Sequence, residues 1–467
     1  MPTRGDREAV RESARYLRGV RPLDPVEIRD YVEGRPSTAA VRAHLRALAL
    51  DLDLVERPDG TFVPVPEGPV EAEFGGVTAL PDRHVDRVES LLVDAYGSDW
   101  VEAAGGDLRA TIDRVKEDYY RGRPVEYDRE VALAYAVYHL AGYYAAAQYV
   151  VDELGRDGLL GHRLRVLDVG AGVGGPALGL ADYLPEDALL EYHAVEPSAA
   201  ADVLETLLRG TGENVHATVH RTTAEAFDPG GDYDLVLFAN VLSELDDPGA
   251  TAARYCESVA ADGTLALLSP ADLETSIGLR QVERTLADDR GLAAVYAPTP
   301  RFWPGERPTD RGWSFDERPP VEVPRFQSRL ARGAPDPERY RNRTVKFSWS
   351  LLRPDGRVRH DRRLDRGRVA AMADSDDHVT DRLRMVAAKL SHDLSPGEDA
   401  NPLYKVSDGS EAVDHYAVLV DETSLNDRLR RADYGDPLYF DSVLCLWNDD
   451  EEAFNLVVDE ETVVDPA

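Results

Sequence analysis

An apolar run that ends in a carboxylate and then turns on glycines is built to bring backbone close to a ligand. Here it reads Arg165-Val166-Leu167-Asp168-Val169-Gly170-Ala171-Gly172-Val173-Gly174-Gly175, a strand passing into a tight turn and then a helix. Glycine is needed where the chain turns sharply and a Cβ would stand in the ligand's way. A second apolar run, Leu190 to Val195, ends in Glu196-Pro197, about 20 residues on, where a carboxylate accepts both hydroxyls of a ribose. Thr223-Ala224-Glu225 closes a third run and would border an adenine ring, and a fourth, Tyr233 to Ala239, ends at Asn240. The chemistry implied is the binding of an adenosine-containing cofactor at the carboxyl ends of parallel strands.

Dinucleotides and S-adenosylmethionine both fit such a pattern, and Asp168 separates them. At the strand end its carboxylate would repel a pyrophosphate but hold the methionine end of S-adenosylmethionine through its ammonium or a water. The first strand also begins after a long helical region rather than near the start of a dinucleotide module. S-adenosylmethionine is therefore the expected cofactor, with contacts from Asp168, Gly170, Ala171, Gly172, Gly174, Glu196, Pro197, Thr223, Ala224 and Asn240.

Methyl transfer from a sulfonium uses an electrophile that the cofactor has already activated, so the protein mainly positions the nucleophile and excludes water. Asn240, Ser243 and Glu244 are the candidate catalytic groups, and Glu244 fits equally well as an acid at a helix start. Asn240 runs into Val241-Leu242 rather than the two prolines and aromatic residue common in exocyclic-amine methyltransferases. Cys256 lies too far into the next helix to serve as a nucleophile for a cytosine carbon. Catalysis and a purely structural use of the cofactor both remain open at this point.

The positioning elements suggest an α/β protein, with a Rossmann-like class I methyltransferase domain flanked by other modules. Residues 1–65 read as a winged helix-turn-helix: helices near Arg7–Tyr16, from Asp24-Pro25 and from Ser37-Thr38, then a hairpin about Pro58-Asp59-Gly60. Arg42 and Arg46 on the third helix would face nucleic acid, or form a solvated face. Residues 66–81 read as a Pro/Glu/Gly linker and 82–160 as helical, ending in a long Ala/Tyr-rich helix from Tyr127 to Leu154 that is apolar on more than one face. Residues 161–295 form the cofactor domain and 296–343 an irregular Pro/Arg/aromatic segment. Residues 344–467 form a β-rich domain, possibly a barrel of the oligonucleotide-binding (OB) type, with Pro354-Asp355-Gly356 joining a first strand to Arg357–His360.

The formal charge of −34, with lysine only at positions 116, 346, 389 and 405, disfavours a polyanionic partner in dilute buffer. A halophilic cytoplasm accounts for the same composition, because at ~1 M salt the Debye length is ~3 Å. No apolar stretch reaches bilayer length, so no membrane contact and a cytoplasmic location are expected. Cys256 and Cys445 stand far apart, which suggests buried thiols rather than a disulfide or a metal site.

These residues also resemble a known family, the mitochondrial small-ribosomal-subunit assembly methyltransferases with their bacterial and archaeal relatives. The resemblance spans roughly residues 120–350. It rests on Tyr127-Asp128-Arg129-Glu130 with Ala132, Ala134-Tyr135 and Tyr144, on Asp168 to Gly174, on Asn240-Val241-Leu242-Ser243-Glu244-Leu245, and on Ala297-Pro298 and Tyr340-Arg341 with Val345-Lys346-Phe347-Ser348. It implies association with small-subunit ribosomal RNA or the pre-ribosome, and in many members an iron–sulfur cluster. Thr299 and Ser314 occupy positions where cluster cysteines would stand, so no cluster is expected. Packing of Phe302, Trp303, Trp313, Phe315 and Phe326 with arginine pairing would have to hold that segment instead. Two further readings are a non-catalytic assembly factor and a cofactor-responsive DNA-binding regulator; methylation of a small molecule or a protein stays open.

Overall fold

A computed structural model describes residues 4–71, 73–397 and 399–467. The chain divides into two compact units, Met1–Asp228 with Pro319–Val345, and Pro229–Arg318 with Lys346–Ala467.

In the first unit, α1 (Arg4–Leu17), α2 (Pro25–Tyr31) and α3 (Thr38–Ala47) precede a one-turn α4 (Ala49–Leu52) and the antiparallel hairpin of β1 (Leu54–Glu56) and β2 (Phe62–Pro64). Asp24 and Ser37 cap α2 and α3, accepting from Val26 N at 2.8 Å and Ala40 N at 3.2 Å. Val10, Ile28, Val41, Leu45 and Phe62 form the core they enclose. The anticipated helices and hairpin are present, whereas α4 has no clear sequence signal.

The described residues of 66–81 hold no helix, but they are not a free linker. Val70, Val77 and Leu80 are buried, Val77 N donates to the Tyr149 hydroxyl at 3.2 Å, and Phe74 meets the Tyr149 ring edge-on. Apolar residues spaced through a polar composition turn the stretch into a packed strap. Then come α5 (Asp82–Tyr96), α6 (Trp100–Tyr120) and α7 (Arg129–Arg156), the last capped by Asp128 through Val131 N at 2.9 Å. Three parallel strands follow in the order β5-β4-β3: β3 (Arg163–Val169), β4 (Leu189–Val195) and β5 (Val215–His220), with crossover helices α8 (Gly175–Tyr183) and α9 (Ala200–Leu208).

Helix α8 lies almost flush on α7, because its facing residues lack side chains. A Cβ at Gly179 would stand 2.6 Å from the Tyr144 carbonyl oxygen, and one at Gly175 2.8 Å from the Tyr143 Cβ. This close approach fixes the helix that follows the glycine turn.

The second unit opens with β6 (Tyr233–Ala239), α10 (Pro248–Cys256), β7 (Val259–Pro270), α11 (Leu273–Arg284), β8 (Ala294–Ala297), β9 (Asp316–Arg318) and β10 (Val345–Arg353). The strand order is β6-β7-β10-β8, parallel between β6 and β7 and antiparallel on both sides of β10. Two expectations change here. The strand at 345–353 was assigned to the C-terminal domain but belongs to this sheet, and burial of Phe347, Ser348, Trp349, Ser350 and Leu351 alike marks it as a central strand covered on both faces. The hairpin to Arg357–His360 does not form. Both edges of β10 are already paired, and Asp355 instead binds Arg353 and accepts from Arg357 N at 2.9 Å.

The remaining strands are β11 (Arg382–Lys389), β12 (Leu403–Ser407), β13 (His415–Leu419), β14 (Pro437–Asn448), β15 (Ala453–Val458) and β16 (Val463–Pro466). Because β11 pairs with both β12 and β14, the ring β11-β12-β13-β15-β14 closes into a small barrel, and β13 and β15 are parallel within it. Met385, Val406, Leu438, Phe440 and Leu456 fill its interior.

The irregular segment is shared between the units rather than being one body. In the second unit Phe302 and Trp303 pack with Val386 of β11, and Trp303 Nε1 donates to Asp408 at 2.7 Å. Trp313 and Phe315 are only half-buried, with ring centroids 5.5 Å apart. Phe326, in the helix Arg325–Ala331, is fully buried in the first unit. Among the described residues no helix is long and apolar enough to cross a membrane.

Gly179→Ala should lower stability by ~1–3 kcal/mol through overpacking. Gly278→Ala in α11, where a Cβ meets nothing within 4 Å, should raise it by ~0.5–1 kcal/mol. Urea titrations of the two variants test this pair of opposite signs.

Candidate cofactor site

Gly170, Gly172 and Gly174 adopt φ values of 71°, 54° and 93°, left-handed conformations that glycine reaches without strain. The turn is anchored by Gly170 N and Ala171 N, which donate to the Val195 carbonyl at 2.9 and 3.1 Å, and by Gly174 N on the Ala171 carbonyl at 3.0 Å. A Cβ at Gly172 would have no neighbour nearer than the Gly170 carbonyl oxygen at 4.0 Å, so this glycine leaves space open on the ligand side.

Asp168 is completely buried at the end of β3. Its Oδ2 accepts from the Tyr192 hydroxyl at 2.6 Å, while Oδ1 has no hydrogen-bond partner. Burial raises its carboxyl to about 7, with the Glu196 charge adding to the rise and the Tyr192 bond opposing it. A buried carboxylate oxygen without a donor is costly. The ammonium of a methionine moiety would supply the missing donor.

Glu196, also buried, accepts from Gly172 N at 2.9 Å through Oε2 and from Ser198 N and Oγ at 2.9 and 2.5 Å through Oε1. Its carboxylate is thereby fixed against the glycine turn. Pro197 is exposed beside it. After β5, Thr223 is exposed and closes a turn by accepting from Ala226 N at 3.3 Å and Phe227 N at 3.1 Å, and Ala224 is buried. These groups fit S-adenosylmethionine: Asp168 for the amino-acid end, Gly170 to Gly174 for close backbone approach, and Glu196 for the ribose. When bound, the cofactor supplies an electrophilic methyl group.

Asn240, Ser243 and Glu244 belong to the second unit. Asn240 follows β6 with φ 61° and its N–H donates to the Leu268 carbonyl at 2.9 Å, a left-handed position that asparagine tolerates better than most residues. Ser243 and Glu244 are exposed on the short turn Leu242–Glu244. The helix-start role considered for Glu244 falls to Asp247, which caps α10 through Ala250 N at 2.8 Å. Cys256 and Cys445 are buried, and burial pushes both thiols up to about 11.

The sequence reading passed over Tyr192 and Ser198. Strand alternation offered a signal for the first: Tyr192 is in register with Val166, two residues from Asp168 and on the same face.

Residues 167–265 match a family model described as a methyltransferase domain. Residues 7–58 and 373–467 match the N-terminal and C-terminal domains of one family described as a domain of unknown function, DUF8157. No curated protein matches the chain. Among solved structures, DesVI of Streptomyces venezuelae is 21% identical over 27% of this chain and 50% of its own, with a TM-score of 0.21. The mitomycin 7-O-methyltransferase MmcR is 16% identical over 64% and 89%, with a TM-score of 0.28. CalS10, an amino pentose methyltransferase from Micromonospora echinaspora solved with S-adenosylmethionine, is 22% identical over 33% and 55%, with a TM-score of 0.22. This chain thus spans about half the length of DesVI. The family match identifies residues 167–265 as a methyltransferase domain, and its strand, glycine turn and helix are Rossmann-like.

The raised Asp168 carboxyl has two measurable consequences. The native state keeps a proton that the unfolded state releases from its ordinary value of 3.8, so stability without ligand falls as pH rises from about 4 to 7. An ammonium needs the ionised form, so affinity for S-adenosylmethionine should drop ~20-fold between pH 7.5 and pH 5.5. Asp168→Asn should abolish that pH dependence, weaken binding, and raise the thermal midpoint of the free protein at pH 8. Calorimetric titrations and melting curves across pH check all three.

Proposed function

We propose that this chain is an S-adenosylmethionine-dependent methyltransferase that acts on or with small-subunit ribosomal RNA. The observation that carries the first half is the buried Asp168 carboxylate, one oxygen bonded to Tyr192 and the other unpartnered beside an open glycine turn.

Three features support the second half. Residues 1–65 contain eleven arginines and eleven acidic residues, so this module is neutral within a chain of charge −34. A phosphate backbone meets the least repulsion there. A cleft at the edge of the module is lined by Arg18, Arg21, Arg57, Pro22 and Pro64 together with Asp187 from outside it, with Tyr16 and Val20 exposed nearby in the chain. Arg18 donates to the Leu52 carbonyl and Arg21 pairs with Glu27, while Arg57 is exposed. The barrel order β11-β12-β13-β15-β14, with a one-turn helix at Arg428–Arg431 between β13 and β14, supports reading it as an OB-like module.

We read the helices and hairpin of residues 1–65 as a winged helix that docks on RNA rather than reading duplex DNA. Arg42 and Arg46, the groups expected to enter a groove, are instead held by Glu56: Arg42 Nε at 3.1 Å and Arg46 Nε at 2.5 Å, with Arg46 Nη1 also 2.9 Å from Glu213.

Crosslinking with RNA sequencing, run alongside tritiated S-adenosylmethionine, tests the proposal. Small-subunit RNA carrying new label is the expected result, and a triple Arg18, Arg21, Arg57→Glu variant should recover at least ~10-fold less of it, each lost phosphate contact also lowering the salt slope by about 1. The same RNA without label would overturn methyl transfer to RNA. Recovery of a specific DNA duplex, or of no nucleic acid, would overturn the RNA assignment.

A further inference from the structure

Asp168 and Tyr192 share one face of the parallel pair β3 and β4. Asp168 stands in register with Ala194, and Tyr192 with Val166, two residues before Asp168. Alternate residues of β4 on that face are therefore Tyr192 and Ala194, with Glu196 just past the strand end. Along the sheet, the Asp168 carboxyl is flanked by a phenol on one side and a carboxylate on the other. Only the small Ala194 stands between those two.

Tyr192 is buried, 1% exposed, and its hydroxyl donates to Asp168 Oδ2 at 2.6 Å. Two residues of strand rise cover roughly 6–7 Å, a gap that a tyrosine hydroxyl closes and a phenylalanine ring does not. A core position that needs only bulk would carry phenylalanine, because a buried phenol has to find a partner. Here the partner is a carboxylate that is itself completely buried, so both groups were taken out of water at a cost. Packing does not account for the pair, which still leaves Asp168 Oδ1 without a hydrogen-bond partner among the described residues.

We propose that Tyr192 is a positioning residue for the cofactor: its hydroxyl ties down Oδ2 of Asp168 so that Oδ1 is presented to the ammonium of the methionine moiety, and the site thereby selects adenosine ligands that carry this cation. This role depends on reading the pocket as the S-adenosylmethionine site. Tyr192 touches Asp168 and acts through it.

The bond also keeps Asp168 able to ionise. Burial and the Glu196 charge favour the protonated carboxyl, and the Tyr192 hydroxyl, by donating to the charged form, opposes them. Burial and the Asp168 charge hold the phenol well above its ordinary value, so it stays protonated and keeps donating. Within the first unit, the other titratable groups of the two crossover helices have partners of their own. On α8, Asp182 is bound by Arg83, His84 and the Tyr144 hydroxyl at 2.6, 2.8 and 3.0 Å, and the Tyr183 hydroxyl donates to Asp152 at 3.1 Å. On α9, Asp202 and Glu205 pair with Arg221 at 2.7 and 3.0 Å. Without Tyr192 both Asp168 oxygens would lack a donor, and the carboxyl would hold its proton more tightly. A protonated carboxyl offers an ammonium no counter-charge.

Calorimetric titration of the full chain and its Tyr192→Phe variant, at pH 6.5 and pH 9, tests this role with two ligands. One is S-adenosylmethionine; the other is 5′-methylthioadenosine, which keeps the adenosine and lacks the amino-acid end. Comparing the two chains at each pH cancels the titration of the cofactor's own amino group. The variant should bind S-adenosylmethionine ~5-fold or more weakly at pH 6.5 and within about twofold at pH 9, as loss of one hydrogen bond to a charge predicts. Its affinity for 5′-methylthioadenosine should match that of the unaltered chain at both. A second protein, with Tyr192 replaced by 3-fluorotyrosine, keeps the ring and carries a stronger donor. It should bind S-adenosylmethionine ~2-fold more tightly at pH 6.5, the opposite sign, and it decides the matter alone if Tyr192→Phe does not fold. No loss in Tyr192→Phe, an equal loss at both pH values and for both ligands, or no gain in the fluorinated chain overturns the positioning role. Failure of the unaltered chain to bind S-adenosylmethionine is a different result, one that overturns the cofactor reading on which the role depends.

Discussion

A carboxylate sealed from water with one oxygen unpaired sets the terms for the first unit. Asp168 cannot be left in that state by chance packing, because the strand end could have carried an apolar residue at lower cost. The surrounding structure maintains it: Tyr192 pins one oxygen, Glu196 raises the cost of ionisation from across the turn, and Gly172 leaves space open at the turn. The glycine contact between α8 and α7 then fixes the floor of the turn.

The second unit is stabilised by a different means, buried ion pairing. Glu283 is fully buried between Arg280 and Arg301, whose charges hold its carboxyl down at about 2 against the opposing effect of burial, and it accepts from Thr299 Oγ1 at 2.6 Å. Lys405 is buried between Asp310 and Asp414. Ser314 bonds Tyr434 and the Leu390 carbonyl. Thr299 and Ser314 therefore take part as hydroxyls in a network joining the irregular segment to the barrel and to α11. Such networks specify one arrangement only when each charge is paired, which explains the density of arginine and aspartate between residues 280 and 318.

Local signals were legible where the chemistry is local. Asp24 and Ser37 announce helix starts, and the glycine turn with Glu196 reveals the cofactor loop, because backbone conformation there depends on residues a few positions apart. What the sequence concealed depends on distant partners. The 345–353 strand looks like the start of a new domain until its two neighbours, β7 and β8, are known. Strands β11 and β12 are obscured by Arg382, Arg384 and Lys405, whose charges are satisfied by Asp459, Asp441 and Asp310 far along the chain. The Ala/Tyr-rich helix reads as apolar on more than one face, and only burial, residue by residue, separates the partly exposed Tyr135 and Tyr143 from the buried Tyr144 and Tyr149.

Asp168 is held ready for a cationic amino-acid group, its carboxyl raised by burial to about 7 and so largely protonated at pH 6. Isotope-edited infrared difference spectroscopy on aspartate-labelled protein at pH 6 reads that carboxyl directly. Addition of S-adenosylmethionine should convert one protonated carboxyl band into a carboxylate band, and the change should vanish in Asp168→Asn. Saturating S-adenosylmethionine with no change in the protonation of Asp168 would contradict the account.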